Sequence, residues 1–301
     1  MPSLSDAAFI LPDSRGVLAV EGPDARDFLQ GLVSNDVHRV GPDRAIYAAL
    51  LTAQGRYLHD FFIAALGDAL HLDCEAERRD DLKRRLSIYR LRSKVTLSDA
   101  TDRMAVALIY GTGALERLGL PAEPGRAQPL GNGIVYVDPR LPGLGARALL
   151  PRDSAAAVLR DVGLAEGDPA DYDRLRLSLG VPDGSRDLPV EKAILLENGF
   201  DELHGVDWNK GCYIGQEHTA RTKYRGLVRK RLMPVEIDGP APAPGTPLLF
   251  DGQEAGEMRN AVDGLGLAMI RLEYLEKLGP GGVLSAGDAR LTPRKPDWAT
   301  F

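Results

Sequence analysis

The chain has 301 residues, of which 44% are hydrophobic and 27% charged, and this composition is typical of a globular protein of two or three domains. The net charge of −6 argues against a general nucleic-acid or membrane-surface binder, because phosphate contacts require an excess of basic residues, and no direct DNA binding is expected. No stretch approaches the roughly 20 apolar residues that span a bilayer. Charged residues interrupt residues 1–20, so a secretory signal is not expected either.

Two cysteines are present, Cys74 and Cys212. A small secreted domain held by disulfides would need more, so we expect a reducing compartment and assign the chain to the cytoplasm. Two thiols also fall short of the four that usually hold an iron–sulfur cluster, and the paired spacings of a zinc site are missing. We therefore do not expect this chain to hold a metal centre alone.

The first hundred residues alternate short apolar runs with helix signals. Gly22-Pro23-Asp24 predicts a helix start, because proline suits the first helical position. Phe28, Leu29 and Leu32 give that helix an apolar face. The remaining pattern predicts strands over 17–20, 46–52, 57–66, 69–72 and 94–97, a hairpin at 53–56 and a charged helix over 75–89.

The rest of the chain shows different patterns of strand and helix signals. Strands alternate with helices between residues 101 and 169, which predicts a small α+β unit: strands over 104–109, 133–137 and 146–150, helices over 113–118 and 154–162. A helix over 172–179 ends at Gly180, and residues 189–226 are rich in loop signals. From Leu227 the pattern changes to β runs broken by proline and glycine, which predict a separate β-barrel: 231–237, 247–250, 254–259 and 266–270.

The most unusual stretch is Lys210-Gly211-Cys212-Tyr213-Ile214-Gly215-Gln216-Glu217. Its glycines allow a tight turn or the close approach of a ligand, and an ammonium near a thiol favours the reactive thiolate. The same pattern fits a buried structural cysteine in a tight turn, and chemistry alone leaves both interpretations open. Cys74 lies among acidic residues, which raise a thiol pKa, and is interpreted as structural.

Two other features could contact a ligand. Asp60 is a carboxylate on an otherwise apolar strand, so it needs either a structural hydrogen bond or a ligand. A basic run follows the cysteine motif, and it fits a solvated face, a binding site for a poly-anionic tail or a contact with an RNA backbone: His218, Arg221, Lys223, Arg225, Arg229, Lys230 and Arg231.

Several segments in the same order resemble the YgfZ/GcvT-like family of the glycine-cleavage T-protein superfamily, which includes the folate-binding, CAF17-like iron–sulfur cluster assembly proteins. The most specific is the Lys-Gly-Cys-Tyr-x-Gly-Gln-Glu signature at 210–217. The others are Phe28-Leu29-Gln30-Gly31-Leu32-Val33-Ser34-Asn35-Asp36, Leu51-Thr52-Ala53-Gln54-Gly55-Arg56, Tyr89-Arg90-Leu91-Arg92-Ser93-Lys94-Val95 and Leu188-Pro189-Val190-Glu191.

The resemblance implies an α+β multidomain fold around a central channel for tetrahydrofolate or a derivative. Its parts would be a discontinuous folate-binding domain (1–100 and 170–226), a ferredoxin-like domain (101–169) and a C-terminal β-barrel (227–301). The implied function is the assembly or repair of [4Fe–4S] clusters in client enzymes, including tRNA-modifying ones, with iron–sulfur client or scaffold proteins as partners. The implied site contains a reactive group of Cys212, Lys210 and Asp60 and a folate-binding group of Asp60, Tyr172, Asn35, Arg221, Lys223 and Arg225.

Two departures distinguish the chain from the aminomethyltransferase branch, which moves a one-carbon unit to tetrahydrofolate. The transferase pattern has two consecutive acids where this chain has His59-Asp60, and a Glu where it has Ser178. Three functions therefore compete: a folate-dependent assembly factor, a true aminomethyltransferase, and a passive folate carrier or partner-binding module with an inert Cys212. The sequence favours the first.

Overall fold

The computed structural model describes residues 6–226 and 228–301, which form two compact units. Unit 1 comprises residues 6–51, Leu58–Asp171 and Leu203–Ile214, and unit 2 comprises Thr52–Tyr57, Tyr172–Glu202, 215–226 and 228–301. The predicted start of the barrel at Leu227 and the first five residues of the segment predicted to lack a signal lie outside the described residues.

The described part of the chain contains seventeen strands and eight α-helices. The strands are β1 (Ala8–Ile10), β2 (Arg15–Glu21), β3 (Ile46–Leu51), β4 (Tyr57–Leu66), β5 (Ala69–Glu75), β6 (Thr96–Asp99), β7 (Met104–Tyr110), β8 (Ala127–Leu130), β9 (Gly133–Val137), β10 (Ala146–Pro151), β11 (Ala165–Glu166), β12 (Lys230–Asp238), β13 (Pro247–Phe250), β14 (Gln253–Val262), β15 (Leu265–Arg271), β16 (Leu284–Ala286) and β17 (Ala289–Pro293). The helices are α1 (Ala25–Gln30), α2 (Arg79–Ile88), α3 (Ala114–Arg117), α4 (Ala155–Asp161), α5 (Pro169–Ser178), α6 (Gly184–Asp187), α7 (Gln216–Tyr224) and α8 (Leu272–Leu278). Among these helices, none is both long and apolar enough to cross a membrane.

One sheet of unit 1 has the strand order β11-β1-β7-β10-β9-β8. Its apolar face packs against α3 and α4, because side chains on a strand alternate between the two faces and this face carries alanine, valine and leucine. On β10, Ala146 and Ala148 join this core, so Arg147 between them points to the opposite face. Arg147 is paired across the sheet with Tyr136 of β9, and both side chains are buried.

The second sheet of unit 1 has the strand order β3-β4-β5-β2-β6. It carries Asp73 on β5, which lies opposite Val17 of β2 on one side and Phe62 of β4 on the other. Helix α2 lies against β2 and β6 and buries Leu82 and Leu86. These pairings place a fully buried carboxylate in the middle of an antiparallel sheet.

In unit 2, six strands close into a barrel in the order β12-β15-β14-β13-β16-β17. Its core consists mainly of aliphatic side chains and methionines, including Met233, Val235, Leu248, Met258 and Ile270. The barrel confirms the predicted C-terminal β-barrel, and the mixture of helices and sheets confirms the α+β class. The three domain boundaries expected from the sequence stay a prediction.

Candidate functional site

A buried cluster of charges joins the two sheets of unit 1. Asp73 accepts hydrogen bonds from Arg15 Nε at 2.7 Å and from Arg147 Nε and Nη2 at 2.9 and 2.6 Å. Asp138 accepts from Arg140 Nη2 at 2.8 Å and lies 3.6 Å from Arg147. Burial alone would raise the pKa of Asp138, but Arg140 and Arg147 hold that pKa below its usual value. Asp138 is therefore ionised, and charge-assisted hydrogen bonds from the three arginines hold the cluster together.

An aromatic pair connects these arginines to Asp60. The guanidinium carbons of Arg147 and Arg140 lie 3.8 and 4.9 Å from the centroid of the Phe62 ring, which stacks on Tyr47 at 5.0 Å. The Tyr47 hydroxyl donates to Asp60 Oδ2 at 2.8 Å. Burial and the adjacent Asp60 raise the pKa of Tyr47 well above its usual value, so the phenol keeps its proton and remains a donor.

The sequence did not indicate Tyr47, Phe62 or the arginines as parts of a site. Arg147 carries the one available signal, because a charged residue inside the apolar run 146–150 requires a buried partner. Its partner Asp73 lies 74 positions away in the sequence, so a local pattern could not identify it.

Asn35 joins the strand that carries Tyr47 to the loop that precedes the cysteine motif. Its Nδ2 donates to the backbone oxygens of Tyr47 and His204, both at 2.7 Å. Its own backbone oxygen accepts from Lys210 Nζ at 2.9 Å. Asn35, Lys210, Tyr47 and Asp60 therefore form one connected polar network inside unit 1.

Cys212 is exposed, in contrast to the buried structural cysteine that was the competing interpretation of the motif. The neighbouring Gly211 is exposed, and a Cβ added to it would meet no atom within 4 Å. Cys74 is buried, burial raises its pKa to about 12, and its thiol lies 3.7 Å from the Gly16 oxygen. Of the two thiols, only Cys212 is open to a partner.

Unit 2 carries the remaining predicted site residues. Tyr172 is buried in α5. In α7, Arg221 forms an ion pair with Glu217, and Lys223 Nζ lies 2.6 Å from Asp201 Oδ2. Arg225 is exposed and follows the last residue of this helix. The binding of a poly-anionic tail by these three cations stays a prediction, and two of them already contact carboxylates.

The structure also locates the two departures from the transferase pattern. His59 is buried, and its Nε2 lies 2.9 Å from Asp81 Oδ2. Ser178 is exposed at the end of α5 and donates to the Leu175 oxygen of its own helix at 2.7 Å. Neither position supplies a carboxylate of its own. Over residues 6–226 and 228–301, no group of three or more His, Cys, Asp and Glu side chains is arranged to hold a metal ion.

Comparisons with known proteins cover nearly the whole chain. The sequence model of the GCVT N-terminal domain matches residues 13–120, and that of the CAF17 C-terminal β-barrel domain matches residues 229–301. The human mitochondrial iron–sulfur cluster assembly factor IBA57 is 36% identical over 95% of this chain and 83% of its own length. The mouse protein of the same name is 34% identical over 95% of this chain and 84% of its own length.

A solved structure shares the fold. It is the glycine cleavage system aminomethyltransferase T from Bartonella henselae, which covers 99% of this chain with a TM-score of 0.77, 87% of its own length and 16% identity. At that identity the match establishes the fold alone, and it confirms the T-protein-like architecture expected from the resemblance.

The expected location is corrected by the same comparisons. The human and mouse relatives, and a Neurospora crassa relative that is 34% identical over 80% of this chain and 56% of its own length, are all mitochondrial proteins. The assignment to the cytoplasm is therefore wrong. It rested on the small number of cysteines, which indicates a reducing environment without distinguishing one reducing compartment from another.

Proposed function

Because the chain belongs to the CAF17-like family of the glycine-cleavage T-protein superfamily, we propose that it assembles or repairs [4Fe–4S] clusters through Cys212 and binds tetrahydrofolate near Asp60. The assembly role is carried by one observation, the similarity over 95% of the chain to two iron–sulfur cluster assembly factors. We expect its partners to be client or scaffold proteins of iron–sulfur cluster assembly.

We expect Cys212 to contact the cluster, because its thiol is exposed. Thiolates are the usual ligands of iron–sulfur clusters, and a [4Fe–4S] cluster usually has four. The chain offers one exposed thiol, and Cys74 is buried with a raised pKa. A cluster at Cys212 would therefore take its other ligands from the partner, which fits a transient transfer complex better than a resident cluster.

The donors and acceptors around Asp60 fit a reduced pterin in part. Its carboxylate can accept hydrogen bonds from the amino and ring N–H groups of a pterin, and the Tyr47 hydroxyl orients it. The Tyr47 ring, which carries this hydroxyl, stacks on Phe62. When bound, tetrahydrofolate supplies a carrier for one-carbon units. The second acid of the transferase pattern is replaced by His59, so Asp60 would hold the pterin without that neighbour.

A genetic experiment tests the assembly role. A strain that lacks its own relative of this protein is complemented with wild type, Cys212→Ala or Cys74→Ala, and the activity of a [4Fe–4S] enzyme is measured. We expect Cys212→Ala to fail and Cys74→Ala to restore activity, provided that both variants accumulate equally. Full restoration by Cys212→Ala would instead favour a passive carrier or partner-binding module.

A titration tests folate binding separately. The two tryptophans are Trp208 in unit 1 and Trp298 in unit 2, so a Trp298→Phe variant reports Trp208 alone. Tetrahydrofolate is expected to change this fluorescence, and Asp60→Asn is expected to weaken the response, whereas the exposed control Asp13→Asn leaves it unchanged. A flat response at high micromolar ligand would count against folate binding and leave the assembly role untouched.

The shared fold favours one second candidate, an aminomethyltransferase. A single-turnover reaction with an aminomethyl-lipoyl donor and tetrahydrofolate tests it directly. Because the second acid and the Glu of the transferase pattern are replaced by His59 and Ser178, we expect no product above background.

A further inference from the structure

The segment that carries Cys212 has no regular structure of its own. Among the described residues, no helix or strand lies between Asn198 and Gln216. Its position in unit 1 therefore depends on individual hydrogen bonds. Asp207 N donates to the Ser34 oxygen at 3.1 Å, and Ser34 Oγ donates to the Gly205 oxygen at 2.6 Å.

Lys210 contributes three of these hydrogen bonds from a single nitrogen atom. Its Nζ donates to the backbone oxygens of Gln30, Val33 and Asn35 at 2.7, 2.5 and 2.9 Å. An ammonium has three N–H donors, so all three are used. Gln30 is the last residue of α1, where a cation is favoured by the unpaired carbonyls of a helix C-terminus.

Two neighbours complete this environment. The Tyr213 ring centroid lies 5.1 Å from Lys210 Nζ, a distance at which a ring attracts a cation. Asp207 Oδ1 accepts from the backbone nitrogens of Asn209 and Lys210 at 2.7 and 3.0 Å, which fixes the turn just before Cys212. Burial lowers the pKa of Lys210 to about 8, with Asp36 and Asp207 opposing, so at neutral pH it remains an ammonium with three donors.

We propose that Lys210 is a positioning residue that clamps residues 205–213 onto residues 30–36 and thereby fixes where Cys212 is presented. This differs from the role expected from the sequence, in which the ammonium activates the thiol. Its three donors are committed to carbonyl oxygens, so none is left to stabilise a thiolate. The inference deepens the proposed function, since it concerns the loop that presents Cys212. Its test uses neither folate nor a cluster, so the positioning role of Lys210 and the proposed function can fail separately.

Full-length protein is compared as wild type, Lys210→Met and Lys210→Arg, with Lys94→Met as a matched control on an exposed lysine. The first measurement is amide hydrogen exchange over residues 205–213 and 30–36. The second is the pH dependence of the alkylation of Cys212 by iodoacetamide. Cys74 reports on the rest of unit 1, because burial and a pKa of about 12 keep it unreactive while the fold is intact.

We expect Lys210→Met to accelerate exchange in both segments at least about tenfold, since three hydrogen bonds from a charged group are lost. Lys210→Arg should not restore protection, because a planar guanidinium cannot direct three N–H groups from one nitrogen to three carbonyls. Lys94→Met should match wild type, and the midpoint of the alkylation profile should be unchanged in every variant.

Three results would overturn the clamp. Unchanged exchange in Lys210→Met would mean that other bonds hold the loop. A rise of the alkylation midpoint by about one pH unit or more would mean that the ammonium does activate the thiol. Alkylation of Cys74 in Lys210→Met would mean that Lys210 supports the whole unit rather than this loop.

Discussion

Asp73 is the residue on which the buried charge cluster of unit 1 depends. It is completely buried and accepts hydrogen bonds from two arginines, Arg15 and Arg147, which are themselves 8% and 3% exposed. The substitution Asp73→Asn keeps the shape of the side chain and removes its charge. The amide oxygen can still accept from Arg15, but the new amide nitrogen would face the donors of Arg147, and two donors cannot bond to each other.

The expected cost follows from these contacts. Two charge-assisted hydrogen bonds to Arg147 are lost, and Asp138, at 3.6 Å, is a weaker substitute for the lost counter-charge. Breaking a buried ion pair by removing one partner costs about 3–5 kcal/mol. With an m-value of about 2 kcal/mol per molar urea, the midpoint of unfolding should fall by about 2 M.

The assay is urea unfolding of the full-length protein in the Trp298→Phe background, in which the fluorescence of Trp208 monitors the unfolding of unit 1. The matched control is Glu166→Gln, which removes the carboxylate of the exposed pair between Arg160 and Glu166 and should leave the midpoint unchanged within error. If Asp73→Asn shifts the midpoint by less than about 0.5 M, the cluster does not hold the sheets together and the argument is wrong.

Two further predictions concern pH and backbone strain. Burial and, to a smaller extent, Arg78 lower the pKa of His59 to about 4. In the unfolded chain the imidazole has a pKa of about 6.5, so between pH 6.5 and 4 the unfolded state binds more protons than the folded state. The free energy of unfolding therefore falls as the pH falls from 6.5 to 4. Between pH 7 and 4, the free energy of unfolding from urea titrations should fall by about 3 kcal/mol more in wild type than in His59→Asn. Equal losses in the two proteins would disprove this role of His59. Gly55 has φ +73°, and a Cβ there would lie 2.7 Å from His218 Cβ, so Gly55→Ala should lower Tm by roughly 5–10 °C. The control is Gly67, which has φ +62° and no atom within 4 Å of an added Cβ, so Gly67→Ala should lower Tm much less. Equal Tm values for the two variants would contradict the steric argument.

Regular structure was predictable where apolar residues recur with a clear period. The strands Gly133–Val137 and Pro247–Phe250 have the bounds expected from the sequence. Helix α7 lies within residues 189–226, which were expected to be rich in loops. It was missed because its buried positions are Thr219 and Thr222, so it has no apolar stripe for a periodicity argument to detect.

Helix α2 shows a different limit. A charged helix was expected from residue 75, but the structure begins it at Arg79. Residues up to Glu75 extend β5 instead, where Cys74 pairs with Gly16 of β2. Burial between neighbouring strands decides this boundary, and the local sequence carries no information about it.

The cysteine motif could be recognised from the sequence, but the hydrogen-bond partners of its lysine could not. The motif placed a lysine two residues from a thiol, and proximity along the chain suggested that the ammonium activates the sulfur. The structure turns that ammonium towards carbonyl oxygens that lie 175–180 positions earlier in the sequence. Every residue has a backbone carbonyl, so no residue type marks such a partner. A buried lysine finds acceptors wherever a helix end leaves carbonyls unpaired, and for that reason the spacing of a lysine and a cysteine alone does not indicate an activated thiol.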